Sequence, residues 1–291
     1  MGTRWQVTAA APAELDRAAL EQAIAARLGQ LVAEMSHWEA GSLLTRFNRL
    51  KAGQWMALPP DFATVIAAGL AIAARSGGAF DPAIGALVDL WGFGPVPVDG
   101  PPDEAALAEA RARSGWQRLD FDPAARRLRQ PGGLRLDLSG IAKGYAVDAV
   151  ADMLAARGLH HCLVEVGGEL AGRGVKPDGQ PWWVDLENPA PELPAFRVAL
   201  HQIAVATSGT YVRGDHNLDP ATGLPAAHDI VSASVLHASA MQADAWASAL
   251  TVLGPEAGLA LATREKLAAR IVARDADGVR ETISPTLVAL L

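Results

Sequence analysis

Apolar residues recur every three to four positions along several stretches of the chain, and this spacing predicts helices. The first covers residues 15–35 and follows a short strand. A second is expected after the prolines at 59–60, with Asp61 as its N-cap, and ends at the glycines 77–78. The other helices predicted from this spacing cover residues 103–114, 142–157, 240–253 and 255–263.

Shorter apolar runs between these helices predict strands. These runs cover residues 117–121, 134–138, 162–166, 182–187, 196–200, 202–206 and 230–236. The segment Asp275-Ala276-Asp277-Gly278 predicts a turn that closes a last hairpin. The order of strands and helices indicates an α/β (α+β) arrangement in layers.

Composition narrows the class of protein. The chain has 291 residues, which suits one large core, and we expect a single domain over residues 1–291. The net charge of −7 repels phosphate backbones, so nucleic acid is not an expected partner. Residues 63–74 form the longest uncharged apolar stretch and fall short of the roughly 20 residues that span a bilayer. The single cysteine, Cys162, allows no internal disulfide.

Residues 136–145 predict a strand that turns into a helix. A helix start offers free N–H groups and a partial positive charge, and Lys143 adds a full charge, so the segment suits a phosphate. The spacing of a Walker A loop is absent from this segment. The alternative is structural, with Ser139 as an N-cap, Lys143 as a solvated side chain and Asp137 as a turn acceptor.

Asp244 and Ser248 lie four residues apart in a predicted helix and therefore share one face. A carboxylate and a hydroxyl side by side suit Mg²⁺, which takes few protein oxygens and completes its octahedron with water and substrate phosphates. The alternative is an exposed aspartate and a small packing serine.

A third group joins a strand end to a loop. Thr207, Ser208 and His216 could orient a polar substrate, and a histidine can accept a proton near neutral pH. Residues 219–223 are equally typical of a plain turn, and a lone loop histidine is often a surface residue.

Three glycine-rich segments allow close backbone approach. In residues 77–82 and 91–95 either a ligand binds or two loops pack together. The glycines 167–168 at a strand end admit a flat ligand or another strand, or they form a bulge.

Taken in order, these segments resemble the FAD:protein FMN transferase family, the ApbE-type flavin transferases. The resemblance covers nearly the whole chain and rests on residues 1–3, 35–38, 42–48, 78–82, 85, 91–94, 136–139, 142–145, 165–169, 206–209, 216–223 and 243–244. It implies a flavin-transferase-type α/β domain and not a Rossmann fold. Independently, no Gly-x-Gly-x-x-Gly follows the first strand.

The resemblance also implies an activity. A Mg²⁺-dependent enzyme of this kind binds FAD, a Thr or Ser hydroxyl of a second protein attacks its pyrophosphate, and AMP leaves. The flavin-binding positions implied by the family are Met1, Trp38, Ala79, Phe80, Asp81, Asp137 and Lys143. The implied metal ligands are Asp244, Ser248 and the carbonyl of Gly140. A basic group near the metal lets a hydroxyl attack at neutral pH, and His216 is the candidate base.

The sequence departs from the family pattern at four places. Trp38 stands where Tyr is more frequent, Ser248 where Thr is usual, and Thr210 where the family has Asp. The connection over residues 211–216 is shorter than usual and lies where the acceptor protein should dock.

Two other functions stay open: a Mg²⁺-dependent FAD pyrophosphatase giving FMN and AMP, and a non-catalytic flavin-binding protein. The acceptor implied by the family is a flavoprotein with a Thr/Ser-bearing domain, for example in a membrane redox complex. Family members act in the bacterial periplasm or at the periplasmic face of the inner membrane. Residues 1–10 lack the pattern of a signal peptide, so a cytoplasmic location is expected if Met1 is the native start.

Overall fold

The computed structural model describes residues 3–210, 217–226, 229–276 and 278–291. In chain order, its elements are β1 (Trp5–Ala9), α1 (Arg17–Met35), α2 (Leu43–Asn48), β2 (Trp55–Ala57), α3 (Pro60–Arg75), α4 (Gly85–Leu90), α5 (Glu104–Arg113), a 3₁₀ turn (Trp116–Arg118), β3 (Asp120–Asp122), β4 (Arg127–Arg129), α6 (Ala142–Ala155), β5 (Cys162–Val166), β6 (Glu169–Arg173), β7 (Trp182–Asp185), β8 (Arg197–Leu200), β9 (Ile203–Gly209), β10 (Ile230–His237), α7 (Ala240–Arg264), β11 (Ala268–Asp275), β12 (Gly278–Ile283) and α8 (Pro285–Val288).

The described residues form two compact units, and each is described by itself. The first unit contains residues 30–142 and 217–226, and the second contains residues 3–29, 143–210, 229–276 and 278–291.

The second unit is built on a seven-stranded sheet in the order β1-β5-β6-β9-β10-β11-β12. Every neighbouring pair is antiparallel, whereas a Rossmann sheet is mostly parallel. Helix α7 packs on strands β9, β10 and β11. A cluster around Trp182, Leu200 and Leu236 joins the sheet to the β7–β8 hairpin and to α8. The prediction of a mixed α/β fold that is not Rossmann is confirmed.

Helix α7 contains a break where the sequence predicts two helices. Gly254 has φ 80° and ψ 177°, and Pro255, which has no backbone N–H, follows it, so the helix is kinked at this point. By length and composition alone α7 could cross a membrane, yet 61% of its most apolar stretch is buried inside the protein. That burial is expected of a core helix.

The first unit carries a small sheet in the order β2-β4-β3 together with helices α2 to α5. The prediction of a strand over residues 134–138 is wrong. Leu134, Leu136 and Leu138 are buried as a strand pattern requires, but the hydrogen bonds of this segment go to side chains and to residues 82–85, which form no strand. The Asn48 amide accepts the Leu136 N–H at 2.7 Å and donates to the Leu136 carbonyl at 3.0 Å.

Two further predictions in the first unit need correction. Pro59, not Asp61, occupies the N-cap position of α3, and Asp61 lies in the first helical turn, where its charge favours the helix dipole. Residues 117–121 are not one strand, because the 3₁₀ turn Trp116–Arg118 precedes the short strand β3. The short helices α2 and α4 and the strands β2 and β4 of the first unit were not predicted, and neither were β6 and α8 of the second unit.

Candidate functional site

Helices α6 and α7 of the second unit meet near their starts. The Gly144 N–H donates to Asp244 Oδ2 at 2.9 Å. A Cβ atom on Gly144 would lie 2.2 Å from the Ala240 carbonyl oxygen and 2.8 Å from Asp244 Cβ. Only glycine at this position lets the two backbones approach so closely. The contact places a buried carboxylate at the start of a helix.

Lys143, beside this contact, forms an ion pair with Glu169 at the start of β6. Gly167 and Gly168, with φ of 66° and 102°, form the two-residue turn of the β5–β6 hairpin. Of the alternatives for these glycines, the bulge is therefore wrong. A Cβ atom on Gly167 would lie 3.3 Å from Lys143 Cδ, so the missing side chain leaves room for the lysine stem.

Burial disfavours the charged forms of both acids in this group. Glu169 is 1% exposed, and burial raises its pKa to about 8, with Asp244 raising it further and Lys143 opposing the rise. Burial also raises the pKa of Asp244, while Lys143 and the Gly144 N–H lower it. A cation near these acids would favour their charged forms.

The donor set in α7 fits Mg²⁺. Ser248 is half-buried and lies one turn after Asp244, so the two candidate oxygen ligands share a face as predicted. Over the described ranges, no group of three or more His, Cys, Asp or Glu side chains is placed to hold a metal. Mg²⁺ suits such a sparse site, because it uses few protein oxygens and keeps water and phosphate ligands.

Strand β9 carries the two predicted substrate-orienting hydroxyls. Thr207 Oγ1 lies 2.8 Å from Ser234 Oγ on the neighbouring strand β10. The Ser208 carbonyl accepts a hydrogen bond from Thr251 Oγ1 at 3.4 Å, which ties β9 to α7. Thr207 and Ser208 belong to the same unit as Lys143.

In the first unit, Asp137 organises the turn before α6. One carboxylate oxygen accepts the Ser139 N–H at 2.9 Å and the Ser139 hydroxyl. The other lies 3.1 Å from Nδ1 of His37. The interpretation of Asp137 as a turn acceptor is confirmed. Nε2 of His37 is buried and has no hydrogen-bond partner among the described residues.

The predicted flavin-binding residues near position 80 are all buried. Ala79 and Phe80 are at most 9% exposed. Asp81 accepts the Ala83 N–H at 2.7 Å and the Trp116 N–H at 3.1 Å. Burial raises the pKa of Asp81 to about 6 against these two hydrogen bonds.

Trp38 differs from that buried group because it is 58% exposed. Its ring centroid lies 5.2 Å from that of His37, at an interplanar angle of 40°. Such an exposed indole can stack on a flat aromatic ligand. Gly140, the predicted carbonyl ligand, lies in the turn before α6.

The loop containing residues 219–223 is a turn, as one interpretation predicted. The Gly223 N–H donates to the Asp219 carbonyl at 2.7 Å. Trp91 Nε1 donates to the Gly223 carbonyl at 2.8 Å, and Arg111 donates to the Ala221 carbonyl at 2.7 Å. The glycine-rich segment at 91–95 therefore packs against another loop. Two predicted site residues, Met1 and His216, lie outside the described residues.

Sequence reasoning did not assign roles to three residues of these groups. His37 and Glu169 lie in segments that were singled out, but their partners are distant in the chain, 100 residues from His37 to Asp137 and 26 from Lys143 to Glu169. Gly144 lies in the same segment as Lys143, and nothing in the neighbouring sequence indicates that it packs against Ala240. The only clue to these residues in the sequence was the recurrence of acidic residues and glycines in the segments that contain them.

Comparisons with known proteins agree with one another. The model of the ApbE family matches residues 1–271. The FAD:protein FMN transferase of Klebsiella pneumoniae is 34% identical over 98% of this chain and 85% of its own length. That of Vibrio cholerae is 33% identical over 100% of this chain and 90% of its own.

Solved structures give the same picture. The apo form of Pseudomonas stutzeri flavinyl transferase ApbE superposes with a TM-score of 0.92 at 38% identity, covering 98% of this chain and 92% of that one. The flavin transferase ApbE from Vibrio cholerae gives 0.93 at 33% identity, covering 100% and 96%.

Proposed function

The chain belongs to the ApbE family, and on that premise we propose that it transfers the FMN part of FAD to a Thr or Ser hydroxyl of an acceptor protein, uses Mg²⁺ and releases AMP. It is a transferase whose substrates are FAD and a protein. The observation that carries the finer proposal is the group of Lys143, Glu169 and Asp244 around the start of α6.

The transfer is one displacement at phosphorus. The acceptor hydroxyl oxygen attacks the phosphorus of the FMN half and forms a phosphoester bond. The bond from that phosphorus to the bridging oxygen breaks, and the oxygen leaves with AMP and the electron pair. The hydroxyl proton passes to a base, for which His216 is our candidate by family resemblance.

Asp244, Ser248 and the Gly140 carbonyl would hold the metal. Bound there, Mg²⁺ supplies positive charge against the negative charge that builds on the pyrophosphate. The Lys143 ammonium contributes further positive charge toward a phosphate, and Glu169 fixes its direction. Asp244 is buried, and the hydrogen bond from the Gly144 N–H fixes the position of its carboxylate.

The first unit contributes the flavin-binding residues of the proposal. Trp38 presents an exposed indole for stacking on the isoalloxazine ring. The other residues assigned to flavin binding by resemblance are Met1, Ala79, Phe80, Asp81 and Asp137. Thr207 and Ser208 of the second unit are proposed to orient the substrate through their hydroxyl groups.

We place the acceptor among flavoproteins with a Thr/Ser-bearing domain, such as a subunit of a membrane redox complex. The proposed location is the bacterial periplasm or the periplasmic face of the inner membrane. Both proposals rest on the family alone. Fractionation of cells expressing the full-length gene would test the location.

The proposed function is tested by incubating the protein with FAD, with Mg²⁺ or EDTA, and with a purified acceptor domain. The matched control is the same domain with its acceptor Thr or Ser replaced by Ala. We expect AMP release and a mass gain equal to FMN minus water on the intact acceptor only, and only with Mg²⁺. Free FMN and AMP with no labelled acceptor would instead establish the pyrophosphatase, and intact FAD in every sample would contradict turnover.

A further inference from the structure

Helices α6 and α7 each provide a carboxylate that accepts backbone N–H groups near the start of the other helix. Asp244 of α7 accepts the Gly144 N–H of α6 at 2.9 Å. In return, Asp148 of α6 accepts the Ala240 N–H at 2.9 Å and the Met241 N–H at 3.0 Å at the start of α7. Asp148 follows Gly144 by four residues, and Asp244 follows Ala240 by four residues. Each acid therefore lies one turn along its own helix from the contact with the other.

Asp148 has two more donors besides these amides. The Ser239 hydroxyl donates to Asp148 Oδ2 at 2.7 Å, and Arg173 Nη2 lies 3.5 Å from Oδ1. Ser239 is also the N-cap of α7, since its side chain accepts the Gln242 N–H. Negative charge is favourable at a helix N-terminus, so Asp148 holds the start of α7 against α6.

The fixed start of α7 determines where the metal ligands lie. Asp244 and Ser248 are one and two turns further along the same helix. Because α6 and α7 are in backbone contact at Gly144 and Ala240, a shift of the α7 start moves Asp244 relative to the Gly144 N–H. Outer groups that orient metal ligands commonly change metal affinity 10–100-fold when they are replaced.

We propose that Asp148 is a positioning residue for the Mg²⁺ site: by binding the Ser239–Met241 start of α7, it sets the place of the Asp244 carboxylate. This inference rests on the proposed function. Asp148 touches neither substrate nor metal and acts through α7.

The test compares Asp148→Asn with the wild-type protein. The asparagine keeps the size of the side chain but turns an NH₂ group toward donors, so one helix-start hydrogen bond is lost. The readout is the Mg²⁺ concentration that gives half of the thermal stabilisation at a fixed FAD concentration. We expect this concentration to rise about 10-fold or more, whereas kcat at saturating Mg²⁺ returns toward the wild-type value.

Asp103→Ala is the matched control, because Asp103 caps α5 in the first unit by accepting the Ala106 N–H at 2.8 Å. It should lower the thermal midpoint and leave the Mg²⁺ concentration unchanged. Ser239→Ala removes one donor to Asp148 while leaving the two amides, and it serves if Asp148→Asn does not fold. A several-fold rise in the Mg²⁺ concentration for this variant supports the proposal.

An unchanged Mg²⁺ concentration in folded Asp148→Asn, with only a lower thermal midpoint, would show that Asp148 is merely a helix cap and would overturn the proposal. A wild-type protein that does not respond to Mg²⁺ would overturn both the metal assignment and this inference. A wild-type protein that responds to Mg²⁺ but labels no acceptor would contradict the transferase step alone, and the Asp148 comparison would still decide the positioning role.

Discussion

Asp148 and Asp244 each accept backbone N–H groups near the start of the neighbouring helix, and they are satisfied very differently. Asp148 accepts hydrogen bonds from two backbone amides and the Ser239 hydroxyl and pairs with Arg173. Among the described residues, Asp244 accepts the Gly144 N–H and feels the charge of Lys143. A carboxylate with a full set of donors maintains structure. A buried carboxylate with few donors has capacity left for a cation.

The largest expected effect comes from removing the less satisfied carboxylate. Asp244→Asn keeps the size of the side chain and removes the charge that would bind Mg²⁺, so the rate of transfer should fall about 1000-fold, which is about 4 kcal/mol of transition-state stabilisation. AMP release at saturating FAD measures it.

Asp152→Asn is the control for that loss, because Asp152 is exposed on α6. Its rate should match that of the wild-type protein. If Asp244→Asn retained more than a tenth of the wild-type rate, the assignment of Asp244 to the metal would be wrong.

Asp81 sharpens the comparison, because it is buried like Asp244 and accepts two backbone hydrogen bonds. Its pKa is about 6 in the folded protein, against 3.8 for the unperturbed group. Between these pH values the folded state holds a proton that the unfolded state has lost. Stability from this group is therefore present below about pH 4 and is lost as the pH rises through 6, by about 3 kcal/mol.

Urea denaturation of the wild-type protein and of Asp81→Asn from pH 4 to pH 7 measures that effect. The free energy of unfolding of the wild-type protein should fall by about 2.4 kcal/mol relative to the variant across this range, most of the full effect. Parallel curves for the two proteins would show that Asp81 does not titrate there.

Gly144 tests the contact that brings the two acids together. Gly144→Ala places a methyl group against the Ala240 carbonyl and should destabilise the protein by about 2 kcal/mol. Gly29→Ala is the matched change inside α1, where the new methyl meets nothing within 4 Å, and it should stabilise by up to about 1 kcal/mol. Shifts of the thermal midpoint in the same direction for both variants would contradict this account of the helix contact.

Local pattern was enough to predict much of the second unit. The strand at residues 162–166 has the predicted bounds, because its short, mostly apolar run alternates in burial and is flanked by turns. The pair Asp244 and Ser248 was placed on one helical face, and the two helices predicted over residues 240–253 and 255–263 match the break at Gly254 in α7. These features depend on neighbours a few residues away.

The parts that could not be predicted depend on distant partners. Residues 134–138 have the burial of a strand, yet the Asn48 side chain, 88 residues away, supplies the hydrogen bonds of Leu136. Likewise, nothing near Asp148 in the sequence indicates that it caps a helix starting 92 residues later. For the described site residues the structure shows the position, and the function of each remains a prediction.

The most direct test of the central claim is the binding of Mn²⁺, as a spectroscopic substitute for Mg²⁺, to the protein in the presence of FAD. Electron paramagnetic resonance reports the free Mn²⁺ in each titration. We predict one bound ion in the wild-type protein, no detectable binding in Asp244→Asn and weakened binding in Asp148→Asn. Equal binding by the wild-type protein and Asp244→Asn would contradict the claim that the less satisfied of the two carboxylates holds the metal.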